Sequence, residues 1–249
     1  MVNSECLRNK IITDWRRSPS TNMGKRRKTK GWIAMPGAVN RFKTLLGSPQ
    51  ETTRARRYCE DASLRTASAM KGIIFTEFLE MVEQRFSAQT MEQMIAAAQL
   101  PSGGAYTAVG KYDHGEIWSL VCELSKVCDT PVPDLFKAYG EYLFARLAGN
   151  YAQLLAAMND SFDVLQSLDG VIHSEVRRLY PDAELPRFDV VERSPSRMVL
   201  IYSSKRHFAD LAEGLIRGCA RHFNENIVVT REPLPSDDAS RVRFTLTLR

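Results

Sequence analysis

"RFDVVERSPSRMVLIYSSKRHF", residues 187–208, is where the spacing of apolar side chains changes from helical to alternating. RFDVVER and RMVLIYS have the period of two that suits half-buried strands, and the Ser-Pro-Ser between them is turn chemistry. Downstream, KRHFADLAEGLIRGCARHF reads as a helix, and NIVVTRE and RVRFTLTLR alternate again around a Ser-Asp-Asp turn. Upstream every patterned segment is helical. MKGIIFTEFLEMVEQRF spaces Ile73, Ile74, Phe78, Leu79, Met81, Val82 and Phe86 as the stripe of an amphipathic helix from Met70. TMEQMIAAAQL follows with Thr90 as its expected N-cap, and PSGGAYTAVGKYD (101–113) is a loop of turn residues. EIWSLVCELSKVC and VPDLFKAYGEYLFARLAG are two more helices, parted by Thr130, Pro131 and Pro133. SFDVLQSLDGVIHSEVRRLY (161–180) is a fifth, capped by Ser161 and stopped by Pro181. Helices followed by β-β-α-β-β predict an α+β fold: an N-terminal helical lobe packed on a C-terminal lobe with a four-stranded, mostly antiparallel sheet.

Charge divides the chain differently. The net charge of +5 conceals 15 Lys and Arg against 5 Asp and Glu in residues 1–69, and 19 against 24 in residues 70–249. Residues 1–69 contain GKRRKTKG and TTRARR with little periodicity, a composition expected of a disordered extension. Three readings of it compete: an arm for nucleic acid or anionic surfaces, a solvated tail without function, or translated sequence ahead of a true start at Met70. The last is favoured, because the patterned domain, residues 70–249, begins abruptly there. There is no run of 18 apolar residues and no signal-peptide stretch in the first 20, so the expectation is a cytoplasmic protein with no membrane association. Five scattered cysteines in such a chain predict free, buried thiols.

Two places could carry chemistry. On the wheel of an uninterrupted helix 161–180, Leu165, Ile172, Val176 and Leu179 form the apolar stripe. His173 lies on its flank, with Phe162, Val176 and Tyr180 nearby. By itself this suits a hydrogen-bonded boundary histidine as well as a neutral imidazole looking into an apolar cavity. On the strand that follows, Tyr202, Ser204 and Arg206 alternate with Ser203 and Lys205, so a phenol, a hydroxyl and a guanidinium share one face. Together they can grip a carboxylate or phosphate; a plain polar strand face is the alternative.

His173 on a helix, Pro186 in ELPRF, and the Tyr202, Ser204, Arg206 triplet together resemble the haem-binding H-NOX family, the sensory domain found alone in bacteria and fused in soluble guanylate cyclases. MKGIIFTEFLEMV, GGAYTAVGKYDHGEI and LDGVIHSEVRRLYP fit the same pattern, so the resemblance spans residues 70–249. It implies a noncovalent b-type haem between the two lobes, with His173 as its axial iron ligand and the triplet on its propionates. Pro186 would press on the porphyrin, and Ile74, Phe78, Leu211 and Leu215 would form the distal wall. Some members have a tyrosine at the position of Leu211 that donates to bound oxygen. An apolar residue there implies nitric oxide as the ligand, with carbon monoxide also bound and oxygen excluded. Phe78 stands where some relatives have tryptophan.

The implied action is a ligand switch without a catalytic group: nitric oxide weakens the bond to His173 and the lobes shift. Standalone members regulate a histidine kinase or a cyclic-di-GMP enzyme, and such a partner is expected. Cys219 and His222 resemble half of a zinc site found in some relatives, but matching cysteines are missing from the C-terminal lobe, so no zinc is expected. Two rival readings remain. One is a non-haem small-molecule-binding or reductase domain of related fold, in which Arg206 grips another anion. The other takes the basic segment as a nucleic-acid arm; with the positive charge confined to that segment, no nucleic-acid partner is expected for the body.

Overall fold

The computed structural model describes residues 68–236 and 240–249, so the basic segment up to residue 67 and part of the expected Ser-Asp-Asp turn lie outside the described residues. Alternation in 187–208 becomes two antiparallel strands, β3 (Arg187–Arg193) and β4 (Arg197–Ser204), with Tyr202 opposite Phe188. They join β5 (Ile227–Leu234) and β6 (Ser240–Leu248) in a sheet of order β3-β4-β6-β5, antiparallel throughout. A bulge between Val190 and Glu192 leaves Val191 exposed and sets the register of β3.

One face of the sheet is apolar because alternate residues point the same way. Met198, Leu200 and Tyr202 of β4 and Val242, Phe244 and Leu246 of β6 pack under Phe162, Leu165, Ala212 and Ile216. These four come from α6 (Ser161–Gln166) and α8 (Ala209–His222), the two helices that cover the face. Each fully buried aliphatic or aromatic side chain there contributes about 1.5–3 kcal/mol.

The helical lobe is built from α1 (Ile73–Arg85), α2 (Ala88–Ala98), α3 (His114–Cys128) and α4 (Val132–Asn150), with a short α5 (Ala152–Leu155) after them. Of the expected stripe, Phe78, Met81 and Val82 of α1 are buried, joined by Phe75, which the stripe left out, while Ile73, Ile74, Leu79 and Phe86 are only partly buried. The helix does not begin at Met70, however. Ala69–Lys71 form a short strand, β1, paired with β2 (Lys111–Asp113), and this pairing holds the chain extended until Gly72. The cap of α2 also differs from expectation. Ser87 is extended and its Oγ accepts the N–H of Thr90 at 3.0 Å, the N-cap bond to N3.

The lobes are joined by α4 against α8, and two glycines set how closely these helices approach. A Cβ on Gly140 would lie 2.4 Å from the Leu211 carbonyl oxygen, and one on Gly214 would lie 2.1 Å from that of Lys137. No larger residue fits without parting the helices.

The expected fifth helix is present in three parts. Asp160, not Ser161, caps α6, its carboxylate accepting the N–H of Asp163 at 2.7 Å. Leu168–Ile172 then form a π-helical turn, and α7 (His173–Leu179) completes the run before Pro181. Cys128 and Cys219 carry free thiols as expected, while Cys122 is disulfide-bonded, against expectation. Among the described residues no helix is long and apolar enough to cross a membrane.

Candidate functional site

A π-helical turn inserts an extra residue and changes the phase of everything after it. Of the three residues that an uninterrupted wheel sets beside His173, Val176 and Tyr180 therefore line a cavity with it, whereas Phe162 turns into the core over the sheet. The cavity, about 510 Å³, is lined almost wholly by apolar side chains from α1, α4, α6, α7, β4 and α8. That volume falls in the ~300–1,000 Å³ range of sites for organic ligands.

His173 is anchored from behind. Its Nδ1 lies 2.6 Å from Oδ1 of Asp169, and Oδ2 of Asp169 accepts the backbone N–H of Phe188 at 2.8 Å. One carboxylate thus ties the imidazole to the first residues of β3. Burial lowers the His173 pKa, opposed by the hydrogen bond and charge of Asp169. A neutral ring donating from Nδ1 to a carboxylate keeps its Nε2 lone pair free, the arrangement of a metal-ligating histidine. No cluster of three or more His, Cys, Asp or Glu side chains suited to a metal ion occurs among the described residues. A lone imidazole on an apolar cavity would suit a haem, whose iron needs only one ligand from the protein.

The triplet at the end of β4 is only partly on the strand. Tyr202 and Ser204 share a face, but β4 ends at Ser204, and Arg206 sits in the turn before α8, where His207 has φ +58°. Tyr202 lies between the rings of Phe188 and Phe244, at 5.3 and 6.3 Å, and burial pushes its pKa up to about 12. Its hydroxyl is hydrogen-bonded to the Ser204 side chain and the Phe208 backbone. Ser204 Oγ in turn accepts the Arg206 N–H at 3.2 Å. The three residues thus form one connected network, and each lines the cavity.

Arg206 is 6% exposed and makes four side-chain bonds. Nη2 donates to the Ala69 carbonyl at 2.6 Å and to the Glu184 carboxylate at 3.0 Å, Nη1 to the Glu184 carbonyl at 2.7 Å, and Nε to Ser68 Oγ at 3.1 Å. Its guanidinium therefore already holds a carboxylate at the edge of the cavity, which is the chemistry a propionate requires. Lys71 and Lys111 line the same edge and share Asp182, with Lys71 at 3.3 Å.

Ile74, Pro186, Leu211 and Leu215 line the cavity as well. Phe78 does not: it is fully buried one layer back, edge-on to Tyr139 at 5.1 Å, while the Tyr139 hydroxyl donates to the Ile74 carbonyl. Sequence reasoning missed Asp169, Glu184 and the α4 residues Leu143, Phe144 and Leu147 that also line the cavity. An acid four residues before a helical histidine was the available signal for Asp169. No local pattern marked Glu184.

Residues 71–231 match the haem-NO-binding family. An unliganded Fe(II) H-NOX protein from K. algicida superposes with a TM-score of 0.68 at 37% identity, covering 72% of this chain and 97% of that one. An H-NOX protein from S. oneidensis in the Fe(II)NO ligation state gives 0.66 at 27% identity, covering 72% and 99%. Soluble guanylate cyclase gcy-35 of Caenorhabditis elegans is 24% identical over 167 residues, 65% of this chain; the chain spans about a quarter (24%) of that relative's length.

Proposed function

The chain belongs to the haem-NO-binding family of haem-based gas sensors, and from that premise we propose that it senses nitric oxide and passes the signal to a partner protein without catalysing a reaction. The observation that carries this reading is His173, its Nδ1 held by Asp169 and its ring on the apolar cavity whose edge carries Arg206. When bound, a ferrous b-type haem supplies an iron that takes up diatomic gases. His173 would hold that iron through Nε2. Tyr202, Ser204 and Arg206 would hold the propionates, and Pro186 would bear on the macrocycle. Ile74, Leu211 and Leu215 exclude water and present no hydrogen-bond donor. A bound oxygen, which needs a donor, is left without one there, whereas nitric oxide and carbon monoxide need none. The Fe(II)NO state of the S. oneidensis relative supports the choice of gas. Phe78 acts through Tyr139 and Ile74 as backing to that wall.

Because Asp169 joins His173 and the π-turn to the start of β3, a change at His173 would be passed to the sheet. A histidine kinase or a cyclic-di-GMP enzyme is the proposed receiver. The test is the electronic spectrum of the purified ferrous protein. We expect an intense Soret band that shifts with nitric oxide and with carbon monoxide and is unchanged in air-equilibrated buffer before oxidation. His173→Ala removes the native axial signature, and Leu211→Tyr introduces measurable oxygen affinity. A colourless protein from haem-replete cells overturns the reading.

A further inference from the structure

The seven residues between α7 and β3, Tyr180–Pro186, bring two acids to the cationic edge of the cavity. Asp182 bridges Lys71 and Lys111. Glu184 sits 3.0 Å from Arg206 and accepts from Ser68 Oγ at 2.6 Å. Lys71 also lies 4.4 Å above the ring of Tyr180, which closes the same segment over its ammonium group. Two internal carboxylates thus occupy two cationic positions, beside the cavity proposed for a pigment with two carboxylate arms. Both acids titrate below their usual range, Asp182 through its lysines and Glu184 through Ser68 and Arg206.

We propose that residues 180–186 form a carboxylate strap, in which Asp182 and Glu184 hold the cationic edge until the propionates of an incoming haem exchange with them. Two kinds of bond at Arg206 make the exchange feasible. Those to the carbonyls of Ala69 and Glu184 are made by a buried guanidinium to backbone, and they fix its position. The bond to the Glu184 carboxylate joins it to a side chain that is 62% exposed, and Asp182 is 54% exposed. Ion pairs with one partner in water are easily replaced. This inference rests on the haem reading above and adds a competitor for the propionate site that belongs to the chain itself.

Titration of the haem-free protein with haem, and separately with haem dimethyl ester, tests the strap. Glu184→Gln keeps the shape and the contact to Ser68 but removes the competing charge. We expect it to bind haem about two- to fivefold more tightly, in keeping with the modest strength of half-exposed pairs, and to leave affinity for the ester unchanged. Adding Asp182→Asn should increase the gain for haem only. A variant that binds haem no better than wild type, or gains equally for the ester, overturns the strap while leaving the haem reading intact. A wild-type protein that binds neither pigment overturns both.

Discussion

Replacing Asp169 with asparagine tests the anchor on His173. Each carboxylate oxygen of Asp169 serves one N–H, that of His173 Nδ1 at 2.6 Å and that of Phe188 at 2.8 Å. Asparagine has nearly the same shape but only one oxygen, so it must present its own N–H to one of the two donors. If the oxygen stays with Phe188, whose backbone is held in β3, His173 must accept at Nδ1 and carry its proton on Nε2, the atom needed for iron. If the oxygen turns to His173, the bond survives without its charge and the Phe188 N–H loses its acceptor. A hydrogen bond to a charged group is worth about 1.5–3 kcal/mol. Because the Asp169 side chain is 31% exposed, the lower end applies, about tenfold in an equilibrium constant at 1.4 kcal/mol per decade. The assay is the rate of haem loss to an excess of a haem-scavenging protein, followed at the Soret band, together with the iron–histidine stretching frequency of the ferrous protein. Asp169→Asn should lose haem about tenfold faster and show a lowered stretch. A folded variant with both quantities unchanged would refute the reasoning.

Gly214→Ala drives a methyl group against the Lys137 carbonyl and should cost about 1–3 kcal/mol by overpacking; thermal denaturation should show a Tm lower by several degrees, and an unchanged Tm contradicts the close approach. Tyr139→Phe removes the hydroxyl bond to the Ile74 carbonyl and should lower stability in urea by about 1 kcal/mol, with no loss if that bond is immaterial. The Asp163 carboxyl is pushed down to about 2 by the Arg193 guanidinium and by N–H groups of Asn159. A depressed carboxylate pKa contributes stability above the ordinary value near 4, and that contribution is lost as pH falls toward 2. Arg193→Met should therefore lower stability at neutral pH and flatten its decline between about pH 4 and pH 2; an acid limb as steep as that of wild type would contradict the pairing.

What local pattern could decide, it decided well. Alternation in 187–208 marked β3 and β4 to within a residue or two, and the helical stripe of 73–86 marked the buried face of α1. Side-chain periods of 3.6 and 2 put His173 on the flank of an apolar stripe and Tyr202 and Ser204 on one strand face, but only the resemblance to the haem-binding family singled them out as a site. A π-turn is a one-residue change of phase that leaves composition untouched, so the wheel placed Phe162 beside His173 when it belongs to the core over the sheet. Arg206 read as the last residue of a strand face. Its actual setting depends on Ser68, 138 residues away, and on Glu184, whose bond to Ser68 spans 116 residues. The pairing of β1 with β2 and the tie from Asp169 to the Phe188 N–H are likewise made only when distant segments meet. Sequence alone determined which elements form and which of their side chains share a face. Tertiary structure decided which acids hold them, because hydrogen bonds and ion pairs form between neighbours in space, and neighbours in space need leave no periodic mark along the chain.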